Sequence, residues 1–92
     1  MTMQNTPLLM SRILGRGAEL DPGVEVVTAQ ANGAHRQTLK QTWERAQQLA
    51  NALKAHGIDT GDRIASFMWN NYRHLELYQG VPSMGCVLHT LN

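Results

Sequence analysis

The 92-residue sequence contains one cysteine, Cys86, and one phenylalanine. A single cysteine cannot form a disulfide within the chain, nor can it build a zinc site of four cysteines. The net charge of +1 is close to zero and no basic cluster occurs, which argues against a nucleic-acid-binding protein. The apolar runs all stay below the ~18 residues that a membrane-spanning helix needs, so no membrane span is predicted.

The amino-terminal residues also lack the basic run that precedes the apolar stretch of a signal peptide, and Arg12 interrupts their apolar stretch. Together with the lone cysteine, this predicts a soluble cytoplasmic protein. A hydrophobic content of 42% with 16% charged residues is typical of a folded chain. A chain of 92 residues suffices for one small domain or for a piece of a larger one.

Local signals in the first third of the chain predict a helix followed by a hairpin. Thr6-Pro7 is typical of a helix start, and the turn Asp21-Pro22-Gly23 ends that helix. A β-branched strand over residues 24–27 precedes Asn32-Gly33, two residues that both tolerate positive φ. A small hairpin is therefore predicted near residues 24–37, with a polar returning strand.

A long amphipathic helix is predicted over residues 39–56. Thr38 and Gln41 fit a capping box at its start, and Gly57 lies where a helix favours a left-handed residue at its end. Its apolar residues recur at helical spacing, and we expect them to dock on a sheet. These residues are Leu39, Trp43, Ala46, Ala50 and Leu53, while Lys40 and Lys54 lie on the solvent side.

The last third of the chain predicts a parallel strand–helix–strand unit at residues 63–91. Residues 63–69 lack polar–apolar alternation, which is typical of a strand covered on both faces. Asn70 is predicted to cap the helix, and Pro82 to end or kink it near Gly80. A strand, a helix and a second strand over this length form a right-handed crossover.

The last strand, predicted from Cys86 to Leu91 after a turn at Gly85, also has the composition of a doubly covered strand. Two such strands need helices on both sides of the sheet, and this chain has too few helices to supply them. We therefore expect the chain to be the beginning of a longer protein.

Three groups of residues invite a functional interpretation that their context does not support. Gly15-Arg16-Gly17 is similar to the start of a dinucleotide fingerprint, but it follows no strand and lacks a third glycine at the right spacing. His74 and Glu76 match half of a zinc-deaminase signature whose cysteines are missing, which favours a surface or helix-capping role for His74. Cys86 and His89, three apart on a strand, point to opposite faces, so a buried thiol and a packing or cavity-lining histidine are expected.

Asn70-Asn71-Tyr72-Arg73 could form a polar cluster at the carboxyl end of a parallel strand, where open α/β sheets bind ligands. The alternative is an N-cap followed by a helix-surface pair of Arg73 and Glu76. The sequence contains no glycine-rich phosphate loop with a lysine. No catalytic, cofactor-binding or metal-binding residue is therefore assigned.

From Thr38 onward, the sequence resembles the amino-terminal part of acyl-CoA synthetases in the adenylate-forming superfamily. Within that superfamily, the stretches WNNYRHLELY and GCVLHTLN are most similar to medium- and long-chain fatty-acid CoA ligases. Departures from the pattern at Gln41, Gln79-Gly80 and Cys86 concern local helix stability. The shared frame consists of Thr38, Trp43, Arg45-Ala46, Leu49-Ala50, Leu53, Gly57, Gly61-Asp62-Arg63, Asn70, Glu76, Gly85 and Asn92.

The resemblance implies that residues 1–92 are the amino-terminal part of a doubly wound AMP-binding domain, truncated at its C-terminal end. The implied parent enzyme converts a fatty acid and ATP into an acyl-adenylate, from which CoA displaces AMP. ATP, Mg²⁺ and CoA are its implied cofactors, and the resemblance allows a homo-oligomer. The phosphate loop, the acyl pocket and a lysine-bearing C-terminal domain would follow Asn92, so the fragment is expected to be inactive and to bind none of the cofactors. The alternative is a stand-alone α/β interaction or binding module.

Overall fold

The computed structural model describes residues 9–91, which form an α/β arrangement, as predicted. β1 and β2 form an antiparallel hairpin, and β3 and β4 form a parallel pair joined by α3. None of the helices described is long and apolar enough to cross a membrane. The elements are α1 (Met10–Leu20), β1 (Glu25–Gln30), β2 (Gly33–Thr38), α2 (Leu39–Ala55), β3 (Arg63–Ser66), α3 (Tyr72–Ser83) and β4 (Val87–Thr90).

α1 begins at Met10, directly after Leu9 in an extended conformation, and ends at Leu20 before the predicted turn. The predicted helix start at Thr6-Pro7 lies outside the described residues. A Cβ atom on Gly15 would lie 3.3 Å from the ring of Trp43 on α2, so the glycine allows the two helices to approach closely. Gly15 therefore has a packing role, which agrees with the conclusion that Gly15-Arg16-Gly17 is not a dinucleotide fingerprint.

The hairpin spans residues 25–38 and is shifted by one residue from the prediction. Its two-residue turn consists of Ala31 and Asn32, and Gly33 pairs with Gln30 across the hairpin. Gly33 has a φ of +127°, whereas Asn32 does not adopt positive φ. The predicted hairpin is therefore confirmed, with a turn that begins one residue before Asn32, at Ala31.

Both ends of α2 have the predicted caps. Thr38 Oγ1 accepts a hydrogen bond from the Gln41 backbone N–H (3.1 Å), and Gln41 Oε1 accepts one from the Thr38 N–H (2.8 Å). At the other end, Gly57 has a φ of +91°, and the Ile58 N–H donates to the Leu53 carbonyl at 3.1 Å. These bonds satisfy backbone groups that a helix leaves free at its ends.

Replacing Thr38 with alanine removes one of these caps and is expected to lower the free energy of unfolding by about 1 kcal/mol. Thr38→Ser keeps the hydroxyl and should leave stability almost unchanged. Urea titrations of the two variants check this. Equal loss in both variants would show that the methyl group, and not the hydrogen bond, is what matters.

α2 packs mainly against α3, and then against α1 and the two strands of the hairpin, so its principal neighbour is a helix and not the sheet that was predicted. Its fully buried residues are Thr42 and Ala46. Trp43 retains partial exposure, as do Ala50 and Leu53. The buried side of the helix is therefore rotated from the predicted one toward Thr42, because α3 is its principal neighbour.

β3 ends at Ser66, three residues before the predicted end. Phe67 and Trp69 leave the sheet and are 77% and 90% exposed. Within the described residues, neither parallel strand is covered on both faces: Arg63 and Ala65 on β3 are exposed, as is Val87 on β4. The apolar character of this region therefore reflects an exposed aromatic loop as well as a strand.

α3 differs from the prediction at both ends. Its N-cap is Asn71 instead of Asn70, since Asn71 Oδ1 accepts a hydrogen bond from the His74 backbone N–H at 3.0 Å. The helix continues three residues beyond Gly80, to Ser83. Pro82 thus lies in the last turn, and the chain leaves the helix there without a break at Gly80.

Candidate functional site at the carboxyl ends of the parallel strands

A cavity of about 660 Å³ opens at the carboxyl ends of β3 and β4. This edge of a parallel sheet is where open α/β folds place their ligand sites, and small-molecule sites typically measure about 300–1,000 Å³. The cavity is therefore the candidate functional site. Its walls come from the loop after β3, from α3 and from the end of β4, and consist of Phe67, Met68, Trp69, Asn70, His74, Tyr78, Thr90 and Leu91.

His74 ties the parts of this site together. Its Nε2 lies 3.0 Å from Ser66 Oγ at the end of β3, and its Nδ1 lies 3.1 Å from Asn70 Oδ1 in the loop. Since an amide oxygen only accepts, Nδ1–H donates to Asn70, and a neutral ring then accepts the Ser66 hydroxyl at Nε2. The predicted surface role of His74 was wrong, because the residue is only 4% exposed. Only its backbone N–H takes part in the helix cap.

The structure brings the predicted cluster at residues 70–73 together only in part. Asn70 lines the cavity, but Tyr72 faces the hairpin, where its ring stacks on His35 with centroids 3.7 Å apart. The Tyr72 backbone N–H donates to Thr28 Oγ1 on β1 at 3.0 Å. Arg73 donates from Nε to the Tyr72 hydroxyl at 3.1 Å. The alternative pair of Arg73 with Glu76 was also wrong, since Glu76 binds other partners.

Glu76 lies at the centre of a polar network that the sequence did not predict. It is 6% exposed and accepts hydrogen bonds from the Arg45 guanidinium on α2 and from Gln37 Nε2 on β2, the latter at 3.0 Å. Gln37 Nε2 also donates to Thr42 Oγ1 at 2.8 Å. The network therefore connects the hairpin, α2 and α3, and it lies apart from the cavity.

The bond to Glu76 raises the pKa of Arg45, first through the hydrogen bond itself and second through the negative charge of the carboxylate. Because the pKa of Arg45 is raised in the folded protein, the stabilisation that Arg45 gains from Glu76 is lost only when the pH rises through the pKa of the folded state. Arginine is already protonated at every working pH, so this contribution stays constant under ordinary conditions.

Cys86 and His89 lie in different environments. Cys86 is buried just before β4, and its Sγ donates to the Asp59 carbonyl at 3.2 Å. β4 begins at Val87, one residue later than the predicted start at Cys86. His89 is exposed on β4, paired in register with Ala65. A packing or cavity-lining role of His89 in a longer protein stays a prediction.

The chemistry of the cavity suits an uncharged apolar or aromatic group. Its lining carries no Lys, Arg, Asp or Glu side chain. Its side chains therefore provide neither a positive charge for a triphosphate nor a carboxylate for Mg²⁺. Among residues 9–91, no cluster of three His, Cys, Asp or Glu side chains could hold a metal ion.

Comparison with known proteins relates this geometry to one family. A family model described as AMP-binding enzyme matches residues 15–92. The chain is 42% identical to the long-chain-fatty-acid–CoA ligase of Thermus thermophilus over 92 residues, which are 99% of this chain and 17% of that protein. It is 36% identical to the medium-chain-fatty-acid–CoA ligase of Ectopseudomonas oleovorans over 98% of this chain and 17% of that protein.

The fold agrees with these matches. The fatty acyl CoA synthetase of Mycobacterium tuberculosis superposes with a TM-score of 0.81 and 27% identity, over 91% of this chain and 16% of that one. The chain spans about a sixth of the length of the curated relatives it matches. With a family match over residues 15–92 and a fold shared with these enzymes, the chain belongs to the AMP-binding enzyme family, also called the adenylate-forming enzymes.

Proposed function

We propose that this chain is the amino-terminal part of the AMP-binding domain of a fatty-acid CoA ligase. The observation that carries the proposal is the 42% identity with a long-chain-fatty-acid–CoA ligase over 99% of the chain. The whole protein would join a fatty acid to AMP, with release of pyrophosphate, and then exchange AMP for the thiol of CoA. ATP with Mg²⁺ and CoA are its proposed cofactors. We place the reaction in the cytoplasm, where ATP and CoA are available.

Within such a ligase, the residues described here would serve as scaffold. The Glu76 network holds the hairpin against α2 and α3, and His74 fixes the loop between Ser66 and Asn71 at the mouth of the cavity. Rigid support of this kind keeps a site within the small tolerances that catalysis requires. We assign no residue of this chain to the chemical steps.

A chimera tests the proposal. Residues 1–92 replace the aligned residues of the Thermus thermophilus enzyme, and AMP formation is measured with a fatty acid and CoA. We expect a rate within about tenfold of the parent enzyme, since a tenfold change corresponds to only about 1.4 kcal/mol of barrier. The matched control is the same enzyme without the segment, which should be inactive. A chimera that folds normally but forms no AMP would favour a stand-alone interaction module.

By itself, the chain is expected to give no exchange of labelled pyrophosphate into ATP, with or without a fatty acid. The physical reason is that the candidate cavity has no charged side chain to hold a triphosphate. The Thermus thermophilus enzyme provides the positive control. Fatty-acid-dependent exchange by the 92-residue chain, above the rate without fatty acid, would contradict the prediction.

A further inference from the structure

Ser66, His74 and Asn70 form a chain of hydrogen bonds beside the candidate cavity. The Ser66 hydroxyl donates to His74 Nε2 at 3.0 Å, and His74 Nδ1–H donates to Asn70 Oδ1 at 3.1 Å. A hydroxyl bonded to an imidazole, with a third group that orients the imidazole, is the arrangement that activates a serine as a nucleophile. The three groups come from the end of β3, the loop after it and α3, so the parallel crossover brings them together.

The protonation state of His74 suits a general base. Since the Asn70 oxygen accepts from Nδ1–H, the lone pair of the neutral ring lies on Nε2 and points at the Ser66 hydroxyl. His74 is 4% exposed and its ring packs on Tyr78, with centroids 4.6 Å apart, so water competes little for that lone pair. When Nε2 takes the hydroxyl proton, the Asn70 amide oxygen stays in contact with the positively charged ring and stabilises it.

The register of the parallel strands turns the Ser66 side chain toward the cavity. Ser66 pairs with Thr90, and residues paired across a ladder direct their side chains to the same face of the sheet. Thr90 and His74 both line the cavity, so the Ser66 hydroxyl lies directly beneath its lining. Ser66 is 6% exposed, but the adjoining side chains of Phe67 and Trp69 are 77% and 90% exposed. Little packing therefore holds this loop over the serine, and its movement would admit a substrate.

We propose that Ser66 is the nucleophile in the hydrolysis of uncharged carboxylic esters, with His74 as general base and acid and Asn70 as a positioning residue. The cavity lining selects the class of substrate, because its side chains are apolar, aromatic or neutral polar and none is charged. An ester with an apolar acyl group and an aromatic alcohol fits this lining. The proposal does not depend on the ligase assignment, and the reaction needs no ATP.

The reaction consists of two displacements. In the first, Ser66 Oγ bonds to the ester carbonyl carbon while its proton passes to His74 Nε2, and the tetrahedral oxyanion then collapses with cleavage of the ester C–O bond. The leaving alcohol takes the proton from Nε2, and an acyl ester of Ser66 remains. In the second, water attacks the acyl carbon and gives its proton to Nε2, and Ser66 Oγ leaves and regains that proton. The Thr90 hydroxyl is a cavity-lining donor for the oxyanion.

Two measurements on the 92-residue chain test the proposal. One is the rate of p-nitrophenyl butyrate hydrolysis, and the other is covalent labelling by phenylmethylsulfonyl fluoride, with the labelled residue located by mass spectrometry. We expect the label on Ser66, since an activated serine displaces fluoride from this reagent. Ser66→Ala should abolish the label and reduce hydrolysis to the background rate. His74→Gln should lower the rate by about a hundredfold or more, the usual contribution of a general base.

Two control variants separate an activated serine from other reactive groups. Ser83→Ala removes a serine whose buried hydroxyl has no hydrogen-bond partner among the described residues, and His89→Gln removes an exposed imidazole that can attack nitrophenyl esters by itself. Both should keep the label and the rate, and circular dichroism checks that every variant is folded. The position of the label is read in the unchanged chain, so this result stands even where a variant fails to fold. No label, or a label spread over several serines, would overturn the proposal, and so would a rate that His89→Gln lowers and Ser66→Ala does not.

Discussion

Replacing Glu76 with alanine is expected to lower the free energy of unfolding by about 2–3 kcal/mol. The carboxylate is nearly buried and accepts hydrogen bonds from Arg45 and Gln37, which belong to two other elements. Without it, the buried Gln37 amide loses one of its two acceptors. The Arg45 side chain is 50% exposed and can return to water, which keeps the loss below that of a fully buried ion pair. Urea titrations of the two proteins measure the change in the free energy of unfolding, provided that its slope against urea concentration is the same in both.

Two matched variants separate this network from ordinary surface charge. Glu76→Gln keeps an acceptor oxygen for Gln37 and should cost less than Glu76→Ala. Glu25→Ala breaks the exposed pair with Arg36, whose charged atoms lie 3.5 Å apart, and should cost less than about 1 kcal/mol. If Glu25→Ala and Glu76→Ala lost equal stability, the network would have no special role in joining the hairpin to the helices.

Short-range signals account for the parts of the fold that the sequence predicted. The capping box of Thr38 and Gln41, the left-handed Gly57 and the hairpin turn near Gly33 each depend on a few adjacent residues. Their hydrogen bonds form within one turn of chain, so residue types and spacing are enough to identify them. The parallel crossover was also predictable, because few connections allow two neighbouring strands with a helix between them.

Contacts between distant residues account for what the sequence did not reveal. Gln37 and Glu76 are 39 residues apart, and Arg45 and Glu76 are 31 apart, so no local spacing relates them. The same holds for the face of α2, whose burial depends on where α3 crosses it. A lone glutamate and a lone arginine on two predicted helices are ordinarily exposed, and only the arrangement of the helices pairs them.

The candidate site was also only partly predictable from local sequence signals. A polar cluster of residues 70–73 at the carboxyl end of a strand was one of two alternatives for this segment, and of these residues Asn70 lines the cavity. The burial of His74 was missed, because its neighbour Ser66 lies on β3 and faces α3 only after the crossover has formed. The exposed aromatic residues Phe67 and Trp69 were taken for part of a buried strand, since apolar composition alone does not distinguish a strand from an exposed apolar loop.

Replacing Gly80 with alanine is expected to lower the free energy of unfolding by about 1–3 kcal/mol, although alanine is the better helix former by about 1 kcal/mol. A Cβ atom at this position would lie 2.8 Å from the backbone oxygen of Ala46, in the middle of α2. Ala46 is fully buried and its carbonyl belongs to the helix backbone, so it cannot move aside as a side chain could. α2 and α3 would have to separate, with loss of packing around the fully buried Val81.

Gly17→Ala is the matched control, because Gly17 is also a helical glycine and its Cβ would meet only the Leu39 side chain, at 3.8 Å. There the helix-forming preference of alanine should prevail and raise stability by about 0.4–1 kcal/mol. Urea titrations of the two variants should therefore change in opposite directions. A stabilising Gly80→Ala would show that α2 and α3 are not in close backbone contact, since only free space at Gly80 would let the propensity of alanine dominate.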